Sequence, residues 1–337
     1  MSECAQMLID PGIETLSEVL DPIALVKHLR ASSISSTNGR AIEEIRVLVL
    51  KHWPGRRVTM EIGFRSGNGW HSAIGKVFRK DRSHIFEAMK EIQRVGFGAK
   101  DEFSIPQPIA YLPSLRLYLQ EKVEGTAAEE IFKTGDERSR TEAAALCARW
   151  LARYHSLAPK MGEVCIAKEH LDSKSMRRCA NEIAKLGGQL AGKADQLLQQ
   201  LEDAATSLTP VEMRAGHGGF RASHVILCPG RTVTFDLDTY DVADPARDVA
   251  RFLAALRNSA LSRLGSIRAL DGPADVFLKT YRAAGKSEWT KNLPFFEAAA
   301  CMKRAKQNLR HRGPHWEENM EAMLDEGLRI AEAGSVL

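Results

Sequence analysis

Apolar and polar positions change period along this chain, and the changes mark its organisation. Ile45-Arg46-Val47-Leu48-Val49-Leu50-Lys51 runs β-branched and apolar. Val58-Thr59-Met60-Glu61-Ile62-Gly63-Phe64 alternates apolar with polar, the period of a strand with one buried face. The turn Trp53-Pro54-Gly55 separates them. A second turn, Ser66-Gly67-Asn68-Gly69, leads into Ser72-Ala73-Ile74-Gly75-Lys76-Val77-Phe78, and Asn-Gly between two such runs is a hairpin signal. A helix is predicted from Asp81 or Ser83, as cap, to about Val95. Phe103 to Leu112 holds prolines and a short strand, and Leu115 to Val123 is another strand, ended by Glu124-Gly125.

After Gly125 the period becomes helical. Ala143, Ala144, Leu146, Ala148, Leu151, Ala152, Tyr154 and Leu157 suit one long buried helix. Residues 174–206 read as another and 245–334 as several more, with a strand pair near 224–236 interrupting them. Residues 1–41 form a helical preface in which Asp21-Pro22 is a good helix start, and Ser32 to Gly39 reads as a polar loop. Three segments follow: an extension over 1–41, a β-rich lobe over 42–123, and a helical lobe over 124–337 that carries the region 217–248.

Composition narrows the class without naming a function. The 337 residues are 44% hydrophobic and 27% charged, ordinary for a globular protein. A net charge of +4 is too weak alone to argue for nucleic acid. No apolar run approaches the roughly 18–20 residues of a membrane span, and the N-terminus lacks a basic region before an apolar core. A cytoplasmic protein with neither a membrane nor a nucleic-acid partner is expected. The six cysteines contain no Cys-x-x-Cys pair, which argues against a zinc site and for reduced thiols.

The candidate chemistry lies in two places. Lys76 sits inside an apolar strand, where a charge has reason to be only if it is paired; an edge lysine facing water is the plainer alternative. Glu87 and Glu91 follow on one helical face. Further on, His217-Gly218-Gly219-Phe220-Arg221-Ala222-Ser223-His224 precedes Thr232-Val233-Thr234-Phe235-Asp236, and then Asp244-Pro245-Ala246-Arg247-Asp248. An acid ending an apolar strand, with Asp238 two residues on, suits a hard cation with oxygen ligands.

This order resembles the aminoglycoside phosphotransferase and choline kinase families over residues 42–335. Their pattern is His-Gly-Asp, four residues, Asn, a strand ending in Asp, then Asp-Pro and a further Asp. The resemblance implies an α+β, protein-kinase-like, two-lobed fold: a small five-stranded antiparallel N-lobe with one helix, and a larger, mainly helical C-lobe. It implies ATP and Mg²⁺ as cofactors and Lys76 on the nucleotide phosphates, oriented by Glu87 or Glu91, with Glu87 favoured. It makes Asp236 a metal ligand and Asp248 the brace of the His217-Gly218 turn. Lys51-His52-Trp53-Pro54-Gly55-Arg56-Arg57 takes the place of a Gly-rich loop, so Arg56 and Arg57 either face phosphates or form a basic surface hairpin. Glu121 to Gly125, with Glu121 and Val123, resembles the hinge that meets the adenine between the lobes. His155 is expected to be a packed or capping residue.

The departures carry the functional expectation. Gly219 stands where the family has its catalytic Asp, and Gly can neither accept a proton nor orient a hydroxyl. His224 replaces the Asn metal ligand, and imidazole matches Mn²⁺ better than Mg²⁺. The first reading is a pseudokinase-like nucleotide-binding or regulatory module with a protein partner. The second is an active ATP- and Mg²⁺-dependent kinase for a hydroxyl of a sugar, aminoglycoside or amino alcohol. A structural partner with no nucleotide pocket is the third. Substitute bases at Asp238, Asp241 or His224 lie off the family's position.

Overall fold

The computed structural model describes residues 8–31, 36–37, 40–67, 69–161, 163–165 and 176–334. The chain divides into two compact units. The first holds Met1–Ala99 and Ile105–Glu124, the second Lys100–Ser104 and Gly125–Leu337.

In the first unit, strands β3 (Glu44–Trp53), β4 (Arg57–Ser66) and β5 (Gly69–Phe78) form the two predicted hairpins, and β7 (Pro108–Leu112) and β8 (Leu117–Glu121) complete the sheet in the order β3-β4-β5-β8-β7. Every neighbour pairs antiparallel. Asn68, read from sequence as part of the second turn, lies outside the described residues. Helix α3 (Ser83–Arg94) starts where Asp81 Oδ2 accepts from Ser83 Oγ at 2.6 Å and from the Ser83 amide at 3.3 Å.

Register decides which side chains share a face. The rows Val58–Val77–Leu117 and Met60–Gly75–Leu119 turn one way, and the row Thr59–Lys76–Tyr118 turns the other. The first face is buried with Ile13, Leu16, Val19, Leu25 and Leu29 from the N-terminal segment and from helices α1 (Leu16–Leu20) and α2 (Pro22–Ala31). Thr15 Oγ1 also donates to Leu115 O at 2.8 Å. Five such buried side chains contribute on the order of 10 kcal/mol. The N-terminal helices are therefore part of the first unit's core, not a separate extension ending at residue 41. Asp21 caps α2 as expected, its Oδ1 accepting from the Ile23 amide at 2.9 Å. Within the stretch read as a polar loop, β1 (Ser36–Thr37) pairs with β2 (Arg40–Ala41).

The second unit is mainly helical, with two small sheets. Strand β6 (Phe103–Ser104) pairs parallel with β13 (Arg231–Thr234), which pairs antiparallel with β12 (Val225–Cys228); β9 (Thr126–Ala127) is the fourth strand. The predicted long helix is α5 (Glu137–Leu157), capped by Asp136 on the Ser139 amide. The helix expected over 174–206 is two helices, Met176–Ala184 and Gly188–Ala204, because Gly187 and Gly188 adopt φ of 72° and 61°. Among the described residues no helix is long and apolar enough to cross a membrane.

Candidate active site

The His217 loop is built outward from Asp248. Strand β11 (Arg214–Gly216) pairs antiparallel with β14 (Asp241–Ala243), and the chain turns directly after β11. Asp248 is 1% exposed, on the first turn of helix Ala246–Leu264. Its carboxylate accepts from the His217 amide at 2.6 Å and the Gly218 amide at 3.1 Å, and lies 3.5 Å from His155 Nε2. Burial opposes its charge, but His155, Arg247 and Arg251 more than offset that and hold the carboxyl well below the usual range. His155 is thus a brace for Asp248, and Tyr281 fixes it through a 2.7 Å contact to Nδ1. Gly218 needs its identity: φ is 74°, and a Cβ there would collide with the Thr239 carbonyl.

His217 is fully buried. Its Nε2 bonds to the Phe235 carbonyl at 3.0 Å, and its Nδ1 has no hydrogen-bond partner among the described residues. Burial pushes its pKa down, so the ring is neutral, with the proton on Nε2. Phe220, two residues past Gly218, stacks on Trp150 at 5.7 Å and on Phe252 at 5.5 Å, which anchors the loop in the core.

Gly219 stands between these anchors. Its φ lies outside the left-handed region, and a Cβ would meet Thr239 Oγ1 at 3.4 Å, His217 Nδ1 at 3.9 Å and His224 Cε1 at 3.9 Å. None of these atoms belongs to a carboxylate. The backbone does not require glycine here, and a Cβ would sit at ordinary contact distances. Of the substitute bases weighed from sequence, Asp241 pairs with Arg247 and its pKa is raised by burial, and His224 Nε2 accepts from Arg221.

Asp236, two residues past β13, has φ 68° and ψ 45°, left-handed backbone at a residue with a Cβ. Such single residues concentrate at functional sites. Its Oδ2 lies 3.5 Å from His224 Nε2. That nitrogen also accepts from Arg221 Nε at 2.8 Å, which makes His224 the Nδ1–H tautomer and occupies the lone pair a metal would need. To serve as a metal ligand His224 would have to lose Arg221. Among the described residues no group of three or more His, Cys, Asp or Glu side chains is arranged to hold a metal. Arg221 carries no spacing signal in the sequence that would have marked this contact.

In the first unit Lys76 is only 4% exposed. It shares its sheet face with Thr59 and Tyr118, and Tyr118 packs edge-on to Phe86 of α3 and reaches Met89 Sδ. Lys76 therefore lies on the α3 side of the sheet, not on an edge facing water. The buried face of α3 is Ile85, Ala88, Met89 and Ile92. Glu87 points away from it and pairs with Lys90 at 3.1 Å; Glu91 lies nearer that face and pairs with Arg94.

The β3–β4 hairpin docks on the N-terminal segment. Asp10 Oδ2 accepts from the Gly55 amide at 2.7 Å and lies 2.7 Å from His52 Nε2. Its carboxyl is lowered, chiefly by His52 and then by Gly55. Trp53 is flanked by Lys51 Nζ at 4.2 Å and the Arg57 guanidinium at 4.1 Å, while Arg56 is exposed. Glu121 accepts from the Gln107 amide at 3.0 Å, and Val123 is half-buried.

A five-stranded antiparallel sheet with a buried lysine in one unit, and in the other a helical body with an acid-braced His-Gly loop and an Asp just past a strand, define a kinase-like phosphotransferase fold. The chain belongs to the phosphotransferase enzyme family, whose model matches residues 64–291. No curated protein matches its sequence. Among solved structures it is similar to a glucosamine kinase, with TM-score 0.63 and 16% identity over 90% of this chain and 80% of that one. It is also similar to a choline/ethanolamine kinase family protein from Mesorhizobium loti, with TM-score 0.58 and 12% identity over 91% and 94%. A thermostable mutant of an aminoglycoside phosphotransferase, in ternary complex with ADP and hygromycin B, gives TM-score 0.58 and 12% identity over 87% and 95%. At these identities the likeness is one of fold.

Proposed function

We propose that this chain is a pseudokinase-like member of the phosphotransferase family: it binds nucleotide through Lys76 and acts as a binding or regulatory module, with at most very slow phosphoryl transfer. The carrying observation is position 219, where the chain has a glycine and the nearest polar atoms are Thr239 Oγ1 and His217 Nδ1. Thr239 Oγ1 donates to the His217 carbonyl at 3.3 Å, and the His217 ring is fully buried. Neither is placed to take a proton from a substrate hydroxyl. General-base assistance is worth ~10²–10⁴ in rate, so transfer without it is slow.

Lys76 supplies a desolvated cation for phosphate oxygens. A divalent cation would take Asp236 as its carboxylate ligand and neutralise phosphate charge. Arg221, donating to His224, already places a fixed positive charge beside Asp236. We therefore expect nucleotide binding to depend only modestly on the metal, with Mn²⁺ at least as effective as Mg²⁺. Cys147, Cys179 and Cys301 are buried free thiols, which suits a reducing, cytoplasmic setting.

A second reading has its own support. Asp236 keeps a left-handed backbone that costs on the order of 1–3 kcal/mol, and Lys76 stays buried. A scaffold without function has little need of either. On that reading the chain is an ATP- and Mg²⁺-dependent kinase of a small hydroxylated metabolite. A screen with ATP, Mg²⁺ and a panel of sugars, aminoglycosides and amino alcohols separates the two. Nucleotide binding without turnover supports the first reading, and turnover in the ordinary enzyme range establishes the second.

A further inference from the structure

A cavity of about 200 Å³ opens in the second unit beside the His217 loop. Its walls come from α4 (Ala128–Thr134), the 3₁₀ turn Ala222–His224 with Arg221 before it, and the helices Ala246–Leu264 and Leu293–His311. The charge of the lining is one-sided. Arg221, Arg263 and Arg304 face it, against a single carboxylate, Glu129. Glu129 is taken by Lys133 at 3.5 Å in the same helix. Among the described residues, none of the three arginines forms an ion pair with a carboxylate. The neutral polar lining adds Asn258, whose Oδ1 accepts from Asn308 at 3.0 Å, and the Ser259 and Ser262 hydroxyls on the same helix.

We infer that this cavity is a binding site for a small molecule bearing a dianionic oxyanion group, a phosphate monoester by preference. Several guanidinium groups converging without counter-charge destabilise one another until an anion enters, and their forked donors match phosphate oxygens in pairs. Arg304 is pushed down to about 10, first by burial and then by Arg221 and Arg251. The volume lies below the roughly 300–1,000 Å³ of drug-sized ligand pockets, so it suits a phosphate with a short carbon skeleton and not a nucleotide. Because Arg221 lines the cavity and also donates to His224 at 2.8 Å, one side chain connects this site to the loop that carries Gly219. The inference does not depend on phosphoryl transfer or on nucleotide binding at Lys76.

The test is calorimetry and thermal melting of the full chain with inorganic phosphate and with glycerol phosphate. Glycerol, succinate and sodium chloride at matched ionic strength are the comparisons. Saturable phosphate binding is expected, with stabilisation on melting, and with succinate weaker. Arg304→Gln should raise the melting temperature of the ligand-free protein, because it removes a repelled, desolvated charge, yet weaken phosphate binding at least about tenfold. Arg263→Gln, at an exposed position, should leave folding unchanged and weaken phosphate binding in the same direction. Phosphate heats that persist unchanged in both arginine variants would overturn the inference. Succinate binding as tightly as phosphate would replace the phosphate ester with a dicarboxylate.

Discussion

Replacing Asp248 by Asn tests whether the loop architecture stands on one carboxylate. Asp248 accepts two backbone amides, at 2.6 and 3.1 Å, and lies 3.5 Å from His155, all at 1% exposure. An Asn of the same shape has one acceptor oxygen. Its amide group must either face the His217 or Gly218 N–H, leaving a buried donor unmet, or turn toward His155. It also removes one of the carboxylates that act on Arg247, leaving Asp241 alone to pair with it. Breaking one side of a buried charge network costs about 3–5 kcal/mol, a large part of a typical stability of roughly 5–15 kcal/mol. For a unit of this size that corresponds to a melting shift of roughly 6–20 °C. The assay is urea and thermal unfolding followed by circular dichroism. Asp236→Asn is the comparison: Asp236 is partly exposed, and Asn tolerates the left-handed backbone, so its cost should stay under about 1 kcal/mol. If Asp248→Asn melts within about 1 kcal/mol of the parent, the brace contributes little and the derivation of the loop from Asp248 fails.

Other outcomes follow from the same geometry. His217 is neutral and its pKa is lowered in the folded chain, so the unfolded chain binds more protons as pH falls below the ordinary His value near 6.5. Stability should therefore decline from about pH 6.5 downward, and the depressed Asp248 adds a second loss below the ordinary Asp value near 4. Denaturation midpoints between pH 8 and 4 check this, and a flat profile counts against a neutral buried His217. Lys76→Ala should weaken ATP binding by about tenfold or more, from a charge-assisted contact worth roughly 1.5–3 kcal/mol. Unchanged affinity by calorimetry would remove Lys76 from the nucleotide site. Gly219→Asp should fold within about 1 kcal/mol of the parent, because its backbone is ordinary and a Cβ has room; severe destabilisation would show that glycine is kept there for packing.

The elements that could be read from sequence are those whose cause is local. Alternation gave β3, β4 and β5, and Asp81 with Ser83 marked the start of α3, since strand period and capping act over a few residues. The motif residues His217, Asp236 and Asp248 were also legible, because they lie within one stretch. What escaped depends on partners far along the chain. Phe103 to Leu112 read as holding one short strand, and pairing with Thr232 and Val233 makes Phe103–Ser104 a second, β6. The break at Gly187 and Gly188 was masked by helical periodicity on both sides. The packing of Ile13, Leu16 and Val19 on the sheet is tertiary, so the preface read as separate. Arg221, Arg263 and Arg304 meet only through the fold. At Lys76 the sequence left a paired lysine and an edge lysine facing water both open, and the fold decides for the covered face.

The most direct test of the central claim is ATP binding and turnover measured on the same preparation, for the parent and for Gly219→Asp. Calorimetry with Mg²⁺ and with Mn²⁺ gives the binding, and phosphate release over hours gives the turnover. The account predicts saturable ATP binding in both proteins, turnover in the parent far below ordinary enzyme rates, and a rate in Gly219→Asp that is equal or higher. Turnover near ~1 s⁻¹ in the parent, within the ordinary enzyme range, or a rate that falls when the carboxylate is restored, would contradict it.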